Sequence, residues 1–272
     1  MIPVASLDDP RVAAYRWVAQ PERLLDDGLF AVEGRLVVPR LLAVSAEPGR
    51  WFGAAVSVLL SPAAYERMQA VIDAYATVPS YVAPQHVIDE LVGFNMHRGC
   101  LALALRPPVQ PIGSFNLSDT RVAVVLEGVN NPDNVGGIFR SAAAFDAGLV
   151  MLGPACADPL YRKSVRTSMG AALEVPYVSS GEWPAALDRL RGQDFEVAAL
   201  TTDNAAVPID RYRPKKPRVA LLAGAEGPGL SDSAFAHADV HVTIPMTGRV
   251  DSLNVATAVA IALYHLTVSQ RP

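Results

Sequence analysis

The chain has 272 residues, 51% hydrophobic and 18% charged, which is ample material for one large or two modest folded domains and excludes a disordered chain. A net charge of −4 and a pI near 5.7 argue against a protein that coats nucleic acid by charge alone, though RNA docking through a local patch stays open. Mean hydropathy is +0.23, yet no apolar run is long enough to span a bilayer and the first residues lack a signal-peptide core, so a cytoplasmic protein with no membrane partner is expected.

Residues 1–106 read as a small mixed α/β domain. Residues 10–25 are expected to be helical, 30–34 a strand, 35–43 helical and 54–60 a buried strand. Ser61 and Pro62 form a cap and first-turn pair that opens a helix through Ala74. A short strand at 80–82, a helix at 84–91 and a strand at 99–105 follow. Cys100 and Cys156 match no metal-ligand spacing and read as buried free thiols, so no metal site is expected. Residues 107–118 are rich in proline and read as a stiff linker.

From residue 119 to 272 the pattern becomes strand–helix alternation. Strands are expected at 121–127, 148–152, 175–178, 196–201, 218–223 and 241–244. Residues 130–137 read as a loop leading into a helix, and further helices are expected from Asp158 to about Leu173, at 183–191, at 231–237 and from Ser252, as cap, to Leu266. Such alternation implies a mostly parallel sheet with helices on both faces. The last helix is apolar on almost every side, so it reads as buried.

Three stretches carry chemistry. Glu127–Arg140 (EGVNNPDNVGGIFR) ends a buried strand and starts a helix, with Asn131 and Pro132 as starting signals and glycines for close approach. An arginine near a helix start suits phosphate, although an ordinary strand–helix junction has the same composition. Ala223–Leu230 (AGAEGPGL) delivers Glu226 into a loop of three glycines, either as a ligand contact or as a brace. Ile244–Asn254 (IPMTGRVDSLN) places Asn254 in an apolar helix, where a buried amide needs partners. A basic set adds Arg162, Lys163 and Arg166, then Arg211, Arg213, Lys215, Lys216 and Arg218; such runs are usually solvated faces but are also where RNA phosphate would bind. The glycine fingerprint of dinucleotide folds and the Walker loop are both absent.

In this order, Asn-x-Gly-x-x-x-Arg, Gly-x-Glu-x-x-Gly-Leu and Ile-Pro-Met-x-Gly-x-x-x-Ser-Leu-Asn-Val-Ala resemble the SpoU (TrmH-type) RNA ribose 2′-O-methyltransferases of the SPOUT superfamily. The resemblance covers about residues 121–266. More weakly, Phe30–Gly34 and the stretch Gly93 to Gly99, including His97 and Arg98, resemble the family's N-terminal RNA substrate-binding domain. The resemblance implies an α/β C-terminal domain with a trefoil knot, working as a homodimer, and S-adenosyl-L-methionine as cofactor. By motif, Asn134, Arg140, Glu226, Ser252 and Asn254 fall on catalytic and RNA-binding positions. Leu200, Thr201, Thr202, Ala223, Gly224, Glu226, Ile244, Met246, Ser252 and Leu253 fall on the cofactor pocket.

The implied reaction is methyl transfer to a ribose 2′-hydroxyl of structured RNA, ribosomal RNA first because a separate N-terminal domain suits a large folded target. Transfer RNA is the alternative substrate, and an RNA-binding factor without turnover is the alternative activity. An open-sheet oxidoreductase would need the missing fingerprint.

Overall fold

The computed structural model describes residues 1–47, 54–96 and 99–269. His97 and Arg98 lie outside the described residues. The chain divides into two compact units, one of Met1–Pro108 with Leu160–Glu174, the other of Val109–Pro159 with Val175–Pro272.

The first unit holds strands β1 (Ile2–Pro3), β2 (Leu29–Glu33), β3 (Ala55–Leu60), β4 (Ser80–Val82) and β5 (Cys100–Leu105). They form one sheet in the order β1-β4-β3-β5-β2. β5 runs antiparallel to both β2 and β3, while β4 pairs in parallel with β1 and β3. Its helices are α1 (Pro21–Asp26), α2 (Val38–Ala46), α3 (Pro62–Ala74) and α4 (Gln85–Val92). Ser61 caps α3, accepting from the Ala64 amide at 3.2 Å, as the Ser-Pro pair predicts. The helix expected at 10–25 is instead a 3₁₀ helix, Pro10–Ala19, followed by α1. Pro21 explains the break, because its ring disfavours helical backbone at Gln20. Tyr15 is fully buried and shares a 2.9 Å hydrogen bond with Ser57 under the sheet.

The second unit begins in the stretch expected to be a linker. There β6 (Gln110–Pro111) pairs with the later strand at 177–179, so residues 107–118 are partly structured. Next come β7 (Val122–Leu126), α5 (Pro132–Ala144) and β8 (Leu149–Leu152). The following helix, α6 (Arg162–Thr167), belongs to the first unit. There Arg162 pairs with Glu33 at 2.7 Å and lies over the Phe94 ring. The long helix expected from Asp158 is only this short α6 plus a 3₁₀ turn at Ala171–Leu173. Its break falls at Met169 and Gly170, both with positive φ, which a helix cannot carry.

The second unit resumes with β9 (Tyr177–Ser179), α7 (Ala186–Gly192), β10 (Phe195–Thr201), β11 (Val207–Pro208), β12 (Arg218–Ala223), α8 (Asp232–Ala236), β13 (Val240–Thr243) and α9 (Val255–Tyr264). Its eight strands order as β11-β13-β10-β12-β7-β8-β9-β6, every pair parallel. All five residues of β7 are buried, as expected for a central strand covered on both faces. The fold is α/β with a large parallel sheet, and no helix among the described residues is long and apolar enough to cross a membrane.

Candidate active site at the strand ends

Three strands of the second unit deliver the site at their C-terminal ends. β7 stops at Leu126, and the chain turns through Gly128 at φ 69°. Asn131 then caps α5, accepting from the Asp133 amide at 2.9 Å, with Pro132 as the first helical residue. Asn134 is carried into the first turn and is buried. Gly137 lies where α5 meets α9: a Cβ there would stand 3.0 Å from the Ala256 Cβ. Glycine therefore lets the two helices approach closely.

β12 delivers the glycine loop. A Cβ on Gly224 would lie 2.3 Å from the Gly229 carbonyl carbon, so this position admits no side chain while the loop keeps its shape. The Gly229 amide closes the loop on the Ala225 carbonyl at 3.1 Å. Glu226 projects from its exposed tip.

β13 leads to the third stretch, where the structure corrects the expected cap. α9 starts at Val255, and its cap is Asn254, not Ser252. The Asn254 Oδ1 accepts from the Ala256 and Thr257 amides at 3.0 and 3.2 Å. Its Nδ2 donates to Asn134 Oδ1 at 2.8 Å and to Glu226 Oε1 at 2.6 Å. This arrangement fixes the amide orientation, because a flipped amide would turn its oxygen on a carboxylate and its NH₂ on two N–H groups. The amide that looked awkward in an apolar helix is satisfied at every position. Nor is α9 buried all round: Ile261 and Tyr264 are exposed, at 38% and 52%.

A cavity of about 650 Å³ opens beside this network. All ten residues expected to hold a cofactor line it, from Leu200–Thr202 after β10, through the glycine loop, to Ile244, Met246, Ser252 and Leu253. Sequence reasoning missed Phe235, Asp232 and Asp251, which also line it. Among the described residues, the lining has carboxylates but no lysine or arginine. Asn134 and Asn254 sit beside the cavity without lining it, joined to it through Glu226. Arg140 is apart: it is exposed, does not line the cavity, and makes no hydrogen bond or ion pair among the described residues.

A second carboxylate was passed over in the sequence except as a strand end. Glu127 is 8% exposed. It accepts from Trp183 Nε1 at 2.6 Å and from the Ser231 amide and hydroxyl at 2.8 and 2.7 Å. Ser231 in turn caps α8, which brings Asp232 and Phe235 to the cavity. Trp183 is 56 positions away, so no local pattern could announce this contact. Nearby, burial raises the Cys156 thiol pKa, and its Sγ donates to the Leu126 carbonyl at 3.4 Å.

The model of the SpoU rRNA Methylase family matches residues 121–264, a span that contains all three motifs and both walls of the cavity. The chain belongs to this family. Among relatives of this SpoU-family chain, an uncharacterized tRNA/rRNA methyltransferase of Mycobacterium bovis is 40% identical over 98% of this chain and 91% of its own length. The 23S rRNA (guanosine(2553)-2′-O)-methyltransferase of Bacillus subtilis is 31% identical over 55% of this chain and 59% of its own. In fold, the chain is similar to an AdoMet-bound rRNA methyltransferase from Sinorhizobium meliloti, with a TM-score of 0.80 at 24% identity over 99% of this chain and 98% of the other.

Proposed function

We propose that this SpoU-family enzyme transfers a methyl group from S-adenosyl-L-methionine to a ribose 2′-hydroxyl of structured RNA, with ribosomal RNA as the substrate. The observation that carries the reading is the cavity at the C-terminal ends of β10 and β12, edged by the Asn134–Asn254–Glu226 network. The cavity's lining fits the cofactor: backbone-rich walls suit a flat adenine, and a lining with carboxylates and no cation suits a sulfonium and repels nucleotide phosphates. When bound, the cofactor supplies an electrophilic methyl group on a positively charged sulfur.

The chain's own task is then to align the hydroxyl and to favour loss of its proton, which passes to solvent water as the methyl group is transferred. Asn254 holds Glu226 at the cavity mouth, and Asn134 holds Asn254. Ser252, exposed and lining the cavity, is available to orient the nucleotide. Arg140 grips the target phosphate, and its positive charge favours the alkoxide. Arginine is too weak an acid to serve as the base itself.

The working unit is a homodimer. Exposed Ile261, Tyr264 and Val268 form an apolar strip on and just past α9, which suits burial against a second copy. α5 packs on α9, from Gly137 against Ala256 to Phe145, whose ring lies 6.0 Å from that of Tyr264, and Arg140 falls between these two contacts along α5. Its distance from its own cavity favours action in the partner's site.

The test is incubation of the purified protein with labelled S-adenosylmethionine and protein-free ribosomal or transfer RNA, then mass spectrometry of ribose-methylated nucleosides. Label in 2′-O-methylated nucleosides of ribosomal RNA is expected. Label only in transfer RNA would move the substrate, and binding of both partners without transfer would leave an RNA-binding factor. Mixing Arg140→Ala chains with impaired Glu226→Gln chains tests the dimer, since action in the partner's site predicts activity in the mixed species above that of either variant alone.

A further inference from the structure

The basic run from Arg211 to Arg218 takes no part in the site just described. Its later part, from Lys215 to Arg218, sits at the opposite end of the sheet, whereas Arg211, its amide held on the Pro208 carbonyl, follows β11, which pairs with the C-terminal end of β13 and so lies towards the cavity end. Arg218 opens β12, and the Val219 amide donates to the Arg121 carbonyl at 3.0 Å, so Arg121 and Arg218 are neighbours at the N-terminal edge. The cavity lies at the C-terminal ends of the same parallel strands. Strands of this length put roughly 20 Å between the two.

This run is built rather than loose. Glu196 is 4% exposed. It accepts from the Tyr212 hydroxyl at 2.9 Å and from the Lys215 backbone amide at 2.6 Å, which pins the loop from below. Pro214 and Pro217 fix backbone φ on either side of the two lysines. Arg218 reaches the Gln193 and Ser118 carbonyls, and Lys216 the Phe195 carbonyl. Arg213 bonds the Asp210 and Tyr212 carbonyls. Each of these partners is a neutral backbone oxygen, so the cationic charge is not cancelled.

Arginines elsewhere are mixed: Arg23, Arg35, Arg67, Arg140, Arg189 and Arg249 also have no ion pair among the described residues, and what sets this edge apart is that its cations are adjacent. Arg11, Arg16, Arg162 and Arg191 each pair with a carboxylate. Among the described residues, none of Arg121, Arg211, Arg213, Lys215, Lys216 and Arg218 does, although Asp119, Asp194 and Asp210 are near in sequence. In a chain of net charge −4, Arg121, Lys215, Lys216 and Arg218 thus gather positive charge without a carboxylate partner among the described residues on one anchored edge. A small recess of about 140 Å³ opens there, with Arg121, Lys216, Pro214 and Pro217 in its lining.

We infer that this edge is a second RNA-binding surface, which takes the phosphate backbone of the substrate at a distance from the nucleotide being methylated. The inference rests on RNA being the substrate. Phosphodiester is the chemistry recognised, because unpaired lysines and arginines on a fixed backbone bind it regardless of sequence. A strand held at both places spans the height of the sheet, so the surface serves a folded RNA and adds nothing for a short oligonucleotide.

The test is a double variant, Arg121→Ala with Lys215→Ala, two exposed side chains at that edge that make no hydrogen bond or ion pair among the described residues. Binding of protein-free ribosomal RNA is measured across a salt series, with S-adenosylmethionine affinity by calorimetry and thermal stability alongside. The expected result is an affinity for RNA about tenfold weaker near physiological salt, and a log–log salt slope shallower by about 2, one contact per cation removed. Cofactor affinity should stay within about twofold, because the cavity is remote. RNA affinity and slope equal to wild type would overturn the inference. If the double variant folds poorly, Lys215→Ala alone is read, with a slope change of about one expected and no change overturning it. Wild type that binds neither RNA nor cofactor would instead defeat the functional reading, so the two failures are separable.

Discussion

Glu127 and Glu226 are both glutamates just beyond the ends of adjacent parallel strands, and each is followed by a glycine with positive φ. Their surroundings differ completely. Glu127 is buried, and its two oxygens accept three hydrogen bonds from Trp183 and Ser231. Glu226 is exposed; one oxygen accepts from Asn254 and, at 3.4 Å, from the Val255 amide, while the other accepts none among the described residues. A carboxylate whose acceptors are all used holds the protein together. One with an open oxygen at a cavity mouth has capacity left for something else. Sequence type and strand position do not separate the two; burial and partner count do.

The sharpest way to break this comparison is on activity. Glu226→Gln keeps a carbonyl oxygen for Asn254, so stability should stay within about 0.5 kcal/mol while methyl transfer falls by about tenfold or more. Arg140→Ala should do more, abolishing transfer, a loss of at least about a hundredfold, with cofactor affinity retained. Calorimetry and single-turnover transfer read both. Full activity in Arg140→Ala would remove the proposed phosphate contact.

Glu127→Gln should show the reverse pattern. An amide in that position must turn its NH₂ towards one of the three donors. The expected cost is about 2 to 3 kcal/mol, seen as a lower urea midpoint. Cofactor affinity should fall only in proportion to lost α8 anchoring. A stable, inactive Glu127→Gln variant would mean that burial is a poor guide to role here.

The intermediate case is Asn254→Asp. The cap survives, because a carboxylate oxygen still accepts from the Ala256 and Thr257 amides. Both donations are lost, and the new charge faces Glu226. Stability should drop by about 1 kcal/mol, with a larger loss of transfer than of cofactor affinity.

Much of the second unit was legible because its signals are local. Strand composition, the Asn-Pro helix start, the Ser-Pro start of α3 and the three ordered motifs each lie within a dozen residues. The failures have a common cause. Ser252 is as good a cap by type as Asn254, and only the bonds to Glu226 and Asn134, 28 and 120 positions away, decide between them. The helix expected through Leu173 failed at Met169 and Gly170, whose backbone conformation is set by tertiary context. Arg140 is present in its motif yet stands apart from Asn134: six residues along a helix leave the two side chains about 120° apart. The Glu127–Trp183 bond had no sequence signal at all.

The smallest expected effect extends the comparison to a buried group that lines no cavity. Cys100 is wholly buried in β5, and burial pushes its thiol from the ordinary 9.0 up to about 12. The fold therefore prefers the neutral thiol. A group whose pKa rises on folding contributes stability that is complete below its unfolded pKa and is lost as pH climbs through the folded one. The window is thus from about pH 9 upwards, where the unfolded chain ionises first. Tyr15, raised by burial in the same unit, adds in the same direction at still higher pH. Thermal melts between pH 8 and 11 should show the midpoint falling, and Cys100→Ala should fall less steeply from a somewhat lower start. Parallel slopes in the two proteins would mean that Cys100 reaches solvent before unfolding, and that burial at this position, unlike at Glu127, does not control a group's charge.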